Sequence, residues 1–211
     1  MNKLFIIGLP RTGTTSISVA LLQQGFKVAH TAYTKRAFEL ADVISDAPCF
    51  SDYRQLDSLF PESKFVYLDR GVDGWLPSIE MLLRKMFLNL DLKLGHFNPV
   101  LKRSFHDTFQ LNTHPEPFCR LHLENCYQRH QHDVFNYFDS RDDFLNIDVS
   151  KDNSLKTLLN FLNISDEVVH EFPYLNVGKQ VDSWKEFKHP SKVNPNSAGA
   201  EHRKFFDYNN L

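Results

Sequence analysis

Nine residues, Gly8-Leu9-Pro10-Arg11-Thr12-Gly13-Thr14-Thr15-Ser16, constrain this chain more than any other stretch. They follow the apolar run Phe5-Ile6-Ile7 and precede Ile17, Ala20 and Leu21, which recur at helical spacing until Gly25, so the order reads strand, loop, helix. A loop in that setting turns successive backbone N–H groups toward one point. The helix that it opens adds unpaired donors and a favourable dipole for an anion. Phosphate is the expected guest. Gly8 and Gly13 have the spacing of the ATP-binding Walker loop, but Thr14 stands where that loop carries Lys, and the cation has moved to Arg11. A Walker enzyme directs its Lys at the terminal phosphates, so the displacement weakens the case for ATP hydrolysis.

The rest of the chain continues the alternation. A second strand-like run lies at Phe26-Lys27-Val28-Ala29 and reaches His30, a helix is expected around Lys35 to Leu40, and Val43-Ile44 leads to Ser45 and Asp46. Phe65-Val66-Tyr67-Leu68 is the clearest later strand, with a helical stretch from about Trp75 to Leu90. Phe144-Leu145-Asn146-Ile147 reads as another strand, before a helical stripe of Leu155, Leu158, Leu159 and Leu162. Strands alternating with helices imply an α/β fold, a parallel sheet flanked by helices. Between about 91 and 131 the strands give way to a Phe-, His- and Leu-rich segment, expected to be a mainly helical insertion or cap. From about 185 to 211, Pro190, Asn194, Pro195 and Gly199 break any periodicity and mark a C-terminal arm. One domain is expected over residues 1–211.

Charge and cysteine usage exclude several classes. With 24 Lys and Arg against 26 Asp and Glu, and a formal charge of −2, the chain lacks the basic excess of a dedicated nucleic-acid binder. No apolar run approaches the roughly 18 to 20 residues needed for a membrane span, and Met1-Asn2-Lys3 leads into too short an apolar stretch for a secretory signal. Cys49, Cys119 and Cys126 form neither a CxxC pair nor an even framework, which suits a reducing compartment, and a cytoplasmic setting is expected.

Pro10-Arg11-Thr12-Gly13-Thr14-Thr15 resembles the 5′-phosphosulfate loop of sulfotransferases that use 3′-phosphoadenosine-5′-phosphosulfate, in which Pro, a Lys or Arg, any residue and Gly-Thr-Thr recur. Those enzymes place an Arg after a later strand and a Ser eight residues on, both gripping the 3′-phosphate; Arg70, after Phe65-Val66-Tyr67-Leu68-Asp69, and Ser78 reproduce that pattern. Asp46-Ala47-Pro48 is similar to an Asp-x-Pro segment of a small sulfotransferase-domain branch, and Phe172-Pro173-Tyr174-Leu175-Asn176 to its closing Phe-Pro-x-x-Asn segment. The chain departs from the pattern at Gly71, where Asp or Asn is common, and the Pro that usually follows is absent.

The resemblance implies a P-loop NTPase-like fold and 3′-phosphoadenosine-5′-phosphosulfate as co-substrate, with adenosine 3′,5′-bisphosphate as product, no metal and a small-molecule acceptor. It implies a binding set of Pro10, Arg11, Thr12, Gly13, Thr14, Thr15, Ser16, Arg70 and Ser78, with Lys179 and Lys185 standing for a basic loop near the C-terminal end. Arg11 would neutralise the leaving phosphate. Asp46 and His30, each at the end of a strand-like run, are the candidate general bases, and Asp46 is preferred for its place in the Asp-x-Pro segment.

Other constellations point less sharply. Cys119, His122, Cys126 and His130 would share one helical face, but ligands strung along one helix do not converge on a tetrahedral ion. Phe87, Phe97, Phe105 and Phe109 fit either an apolar acceptor pocket or a core, and Trp75 either stacks on adenine or packs. Two other classes share the first loop: a nucleotide or small-molecule kinase, which should show Lys after Gly13, and a non-catalytic nucleotide-binding protein.

Overall fold

Successive residues of the first strand enter different cores: Leu4 and Ile6 belong to one buried cluster, Phe5 and Ile7 to another. A strand covered on both sides belongs inside a parallel sheet. The computed structural model describes residues 3–164, 171–173 and 183–198. In chain order its elements are β1 (Leu4–Ile6), α1 (Thr14–Gln23), β2 (Val28–His30), α2 (Lys35–Leu40), β3 (Val43–Ser45), α3 (Cys49–Leu59), β4 (Lys64–Leu68), α4 (Val72–Leu90), α5 (Pro99–Phe109), α6 (Arg120–Tyr137), β5 (Phe144–Ile147), α7 (Ser154–Phe161) and α8 (Ser183–Glu186). The sheet runs β2-β3-β1-β4-β5 with every pairing parallel, and Phe5 of β1 stands between Ile44 and Phe65. The expected α/β fold, a parallel sheet flanked by helices, is the one observed.

Helices α1 and α7 cover one face, through Ile17, Leu21, Leu155 and Leu158. The other face carries α2, α3 and the end of α6, through Phe38, Tyr53, Leu56 and Val134. The segment between β4 and β5 consists of α4, α5 and α6, which build a third cluster around Trp75, Ile79, Leu83, Phe105, Phe109 and Tyr127. Helix α6 runs on to Tyr137, so its last turns join the sheet face while its first turns hold α4 and α5. Among the described residues no helix is long and apolar enough to cross a membrane.

Helix α3 has no counterpart in the sequence reading. Asp52 interrupts its helical geometry, at φ −115° and ψ 18°, and its buried carboxylate receives a bidentate pair from Arg103 of α5 at 2.9 and 2.6 Å. That pair ties the third cluster to the sheet layer. At the opposite end, residues 191–195 run beside β2. Val28 N–H donates to the Ser191 carbonyl, Val193 N–H to the Val28 carbonyl, and Tyr33 N–H to the Pro195 carbonyl. An edge strand is thereby covered.

His130 on α6 is buried and donates from Nε2 to the Phe50 carbonyl at 2.7 Å, and its Nδ1 has no hydrogen-bond partner among the described residues. Burial pulls its pKa down to about 4. The folded chain therefore refuses a proton that the unfolded chain accepts below its ordinary 6.5, so the group's contribution is full above pH 6.5 and is lost as pH falls toward 4. Denaturant titrations should show stability dropping over that window by up to roughly 3 kcal/mol from this group. His130→Gln should flatten the drop, and an identical slope in the variant would remove His130 as its cause.

Candidate active site

The connection from β1 leaves on the α1 face, whereas those from its neighbours β3 and β4 leave on the face of α3 and α6. Such a divergence opens a crevice over the carboxyl end of β1. The Gly8–Ser16 loop fills its floor. A Cβ on Gly8 would lie 2.6 Å from the Leu68 Cβ and 2.8 Å from the Leu68 backbone nitrogen, so only glycine lets the ends of β1 and β4 approach this closely. Gly13, at φ 111°, caps α1, and a Cβ there would lie 2.4 Å from a Val149 methyl. No side chain caps α1, so its first-turn amides keep their donors for the crevice.

Three hydrogen bonds from the β4–α4 segment shape the loop. Trp75 Nε1 donates to the Pro10 carbonyl at 2.9 Å, an Arg70 terminal nitrogen donates to the Arg11 carbonyl at 2.7 Å, and Ser78 Oγ accepts from Arg11 Nε at 2.8 Å. Trp75 is fully buried, so of its two candidate roles the structure assigns packing and loop support. The Arg70 turn is held from behind by Tyr127, whose hydroxyl lies 2.6 Å from Asp69 Oδ1 and 2.7 Å from the Arg70 carbonyl.

These elements enclose a cavity of about 720 Å³. Pro10, Arg11, Thr12, Gly13, Thr14, Thr15, Ser16, His30, Asp46, Arg70 and Ser78 all line it. Lys179 lies outside the described residues, as do Tyr174 to Asn176 of the Phe-Pro-x-x-Asn segment. Lys185 sits on α8, away from the cavity wall. The sequence reading missed Thr31, Asp148, Val149 and Ser150, which also line the cavity from the carboxyl ends of β2 and β5. Periodicity marks strands but does not show which of their ends converge. Three of the lining residues hold a left-handed backbone without being glycine: Arg11 at φ 73°, Thr31 at 91° and Asp46 at 57°. For a β-branched residue such as Thr31 this is a costly conformation, and all three strained residues line one cavity.

Arg11 and Arg70 both line the cavity, and the charge of Arg70 acts on Arg11. Burial lowers the pKa of Arg11, the like charge of Arg70 lowers it further, and the Asp46 carboxylate works against both. Across from them, His30 Nε2 and Asp46 Oδ2 lie 4.0 Å apart, with side chains 11% and 20% exposed. Burial dominates both: it raises Asp46 above its ordinary range, against the pull of His30, and lowers His30. Trp184, at the start of the arm, sets its ring edge-on to His30 at 5.1 Å.

Proton counting fixes the tautomer of His30. Ser18 Oγ donates its one hydrogen to the Thr14 carbonyl at 2.7 Å, so in its 2.8 Å contact with Ser45 Oγ it accepts. Ser45 has thereby spent its hydrogen and must accept from His30 Nδ1 at 2.9 Å. Nε2 is left with its lone pair, toward Thr15 Oγ1 at 3.1 Å and Asp46. Nitrogen-15 NMR should show His30 protonated on Nδ1 in the wild type, and Ser18→Ala should raise the Nε2-protonated population. A wild-type spectrum with the proton on Nε2 would break this chain of donors.

The remaining candidates have other roles. On α6, His122 bonds the Phe109 carbonyl at 2.8 Å, as His130 bonds Phe50, and the Cys126 sulfur lies 3.5 Å from His122. That stripe joins helices through their backbones. Of the four phenylalanines, Phe105 lines the cavity, Phe109 is buried beside Trp75, Phe97 packs on the third cluster, and Phe87 meets Phe118 near the surface.

A family model described as a sulfotransferase domain matches residues 29–181. No curated protein matches the chain. The matched stretch contains His30, Asp46, Arg70 and Ser78 and opens after the Gly8–Ser16 loop.

Proposed function

The chain belongs to the sulfotransferase-domain family, and from that premise we propose that it moves a sulfuryl group from 3′-phosphoadenosine-5′-phosphosulfate to a hydroxyl or amine acceptor. The observation that carries the reading is the convergence of two guanidinium groups and the uncapped amides of α1 at one end of a cavity, with a carboxylate and an imidazole beside them. The residues fit such a donor: Gly8 and Gly13 leave room for close backbone approach, and Arg11 and Arg70 both line the cavity beside the first turn of α1.

When bound, the donor supplies a sulfur whose bond to the 5′-phosphate oxygen breaks as the bond to the acceptor forms. Arg11, Thr14, Thr15 and the loop amides hold the phosphosulfate end and stabilise charge on the leaving oxygen. Arg70 and Ser78 hold the 3′-phosphate, and Ser78 also orients Arg11 through its Nε. Asp46 takes the acceptor's proton. Its raised pKa makes it a stronger base than an exposed carboxylate, and His30 Nε2 stands 4.0 Å from it. Pro10, Thr12, Gly13 and Ser16 shape the loop, and no residue of this account needs a metal. Lys179 remains a proposed cover for the 3′-phosphate. The three cysteines are free, in keeping with a cytoplasmic enzyme.

Adenosine 3′,5′-bisphosphate without magnesium should raise the melting temperature, whereas ATP with magnesium should do so if the chain were instead a kinase. Arg70→Ala should weaken the bisphosphate by about ten- to a hundredfold and leave 5′-AMP nearly unchanged, as expected for a lost charge-assisted contact of roughly 1.5–3 kcal/mol. An intact preference for the bisphosphate would remove Arg70 from the 3′-phosphate.

Asp46→Asn should fold, bind adenosine 3′,5′-bisphosphate as the wild type does, and lose at least about a hundredfold in turnover. If that variant stayed active while His30→Ala was dead with donor binding intact, the base would be His30.

A further inference from the structure

The C-terminal arm reaches the cavity from outside. Residues 183–198 lie beyond residue 181, where the sulfotransferase-domain match ends. Helix α8 packs on α1, with Trp184 and Phe187 against the cluster that holds Ile17, Leu21 and Val28. The chain then runs along β2, where the carbonyls of Ser191, Pro195 and Ser197 accept from Val28 N–H, Tyr33 N–H and Thr34 Oγ1. The stretch held in this way, 28–34, carries His30, Thr31 and Tyr33 into the cavity wall.

From inside the site, Ser45 faces Nδ1 of His30, and Thr15 and Asp46 face Nε2. Trp184 meets the imidazole ring itself, with centroids 5.1 Å apart and planes at 78°, the edge-on geometry that aromatic pairs favour. Trp184 is in turn clamped by Lys192. The Lys192 ammonium donates to the Trp184 carbonyl at 2.5 Å and to the Phe187 carbonyl at 2.8 Å, and lies 4.2 Å from the Trp184 ring centroid. One cation thus fixes both the backbone and the indole of Trp184. Burial keeps His30 neutral; Asp46, at the end of β3, works against that, and Lys192 on the arm reinforces it.

We propose that Trp184, braced by Lys192, is a positioning residue for His30 and Asp46: its ring holds the imidazole in one orientation, Nδ1 on Ser45 and Nε2 toward Asp46, and keeps water from it. The role of that pair in proton transfer rests on the sulfuryl-transfer reading, whereas the hold on His30 does not. Trp184 acts on Asp46 only through His30. A fixed, neutral imidazole leaves the carboxylate basic, whereas an imidazolium 4.0 Å away would draw its pKa down.

Nitrogen-15 NMR of the whole chain reads the effect at His30 with no substrate present. Trp184→Ala admits water to the ring, so the proton affinity of His30 should rise at least about threefold, and the Nε2-protonated tautomer should appear beside the Nδ1 form. Trp184→Phe keeps a ring in place and should restore most of both. Lys192→Met should raise the proton affinity through its lost charge alone, but it should also mix the tautomers, which a lost charge does not do; this variant reads the same ring if the alanine variant does not fold. Unchanged amide signals from β1, β3 and β4 show that a variant is folded. A proton affinity and tautomer unmoved by Trp184→Ala would overturn the proposal, as would changes that Trp184→Phe leaves in full. A single Nδ1 tautomer in Lys192→Met would remove the brace. Failure of the wild type to bind adenosine 3′,5′-bisphosphate would remove the donor reading and would alter none of these signals.

Discussion

Everything at this site depends on the loop after β1 being held from one side by the segment that follows β4. Trp75, Arg70 and Ser78 make their three bonds to two consecutive loop residues, Pro10 and Arg11. Arg11 sits in a left-handed conformation that a free loop would rarely populate, so these bonds hold a shape that the loop would not keep by itself. Gly8 makes the arrangement possible, since any side chain there would push β1 away from Leu68. Trp75 extends the constraint further, because its ring lies in the cluster built by α4, α5 and α6. The helices that wall the apolar end of the cavity are thus mechanically joined to the loop at its polar end. A substitution in the α4–α5 core should be felt as a shift of Arg11.

The strands were legible because each carries a short apolar run; the inner strands β1, β3 and β4 bury theirs on both faces, whereas β5, at the sheet edge, fully buries only Ile147. Phe144–Ile147 was readable to the residue and the helix expected around Lys35 to Leu40 lies there, whereas β1 lies one residue earlier than Phe5-Ile6-Ile7 implied. Helix α3 was not legible. Asp52 breaks its geometry, and only Arg103, fifty-one residues on, explains a carboxylate on a buried face. The same limit applies to the site. A motif places Arg11 and Arg70, whose neighbours in sequence carry the pattern. Asp148 and Ser150 follow an ordinary strand and become site residues through the pairing of β5 with β4. The role of Ser78 changed scale. Spacing pointed to a phosphate ligand, and the structure adds a bond to Arg11 that orients a second cation.

The two candidate bases illustrate how burial can hide chemical identity. An isolated carboxylate and an isolated imidazole titrate well apart, and a pH profile ordinarily tells them apart. Here desolvation raises Asp46 and lowers His30, so the two shifts run toward each other and the acidic limb of turnover no longer separates the candidates by residue type. At 4.0 Å the groups also titrate as a pair, so an apparent pKa belongs to both. The hydrogen-bond chain through Ser18 and Ser45 adds an asymmetry that titration lacks. It holds the His30 proton on Nδ1, on the side away from Asp46, and leaves Nε2 able only to accept. A proton arriving from an acceptor therefore meets two lone pairs, on Asp46 and on Nε2. Once protonated, His30 becomes a cation buried beside Asp46 and not far from Lys192, whose charge already opposes it. Asp46 gains no charge on protonation but loses one, which the buried site favours. That difference, more than residue type or position in a motif, is the physical reason for proposing Asp46 over His30 as the base.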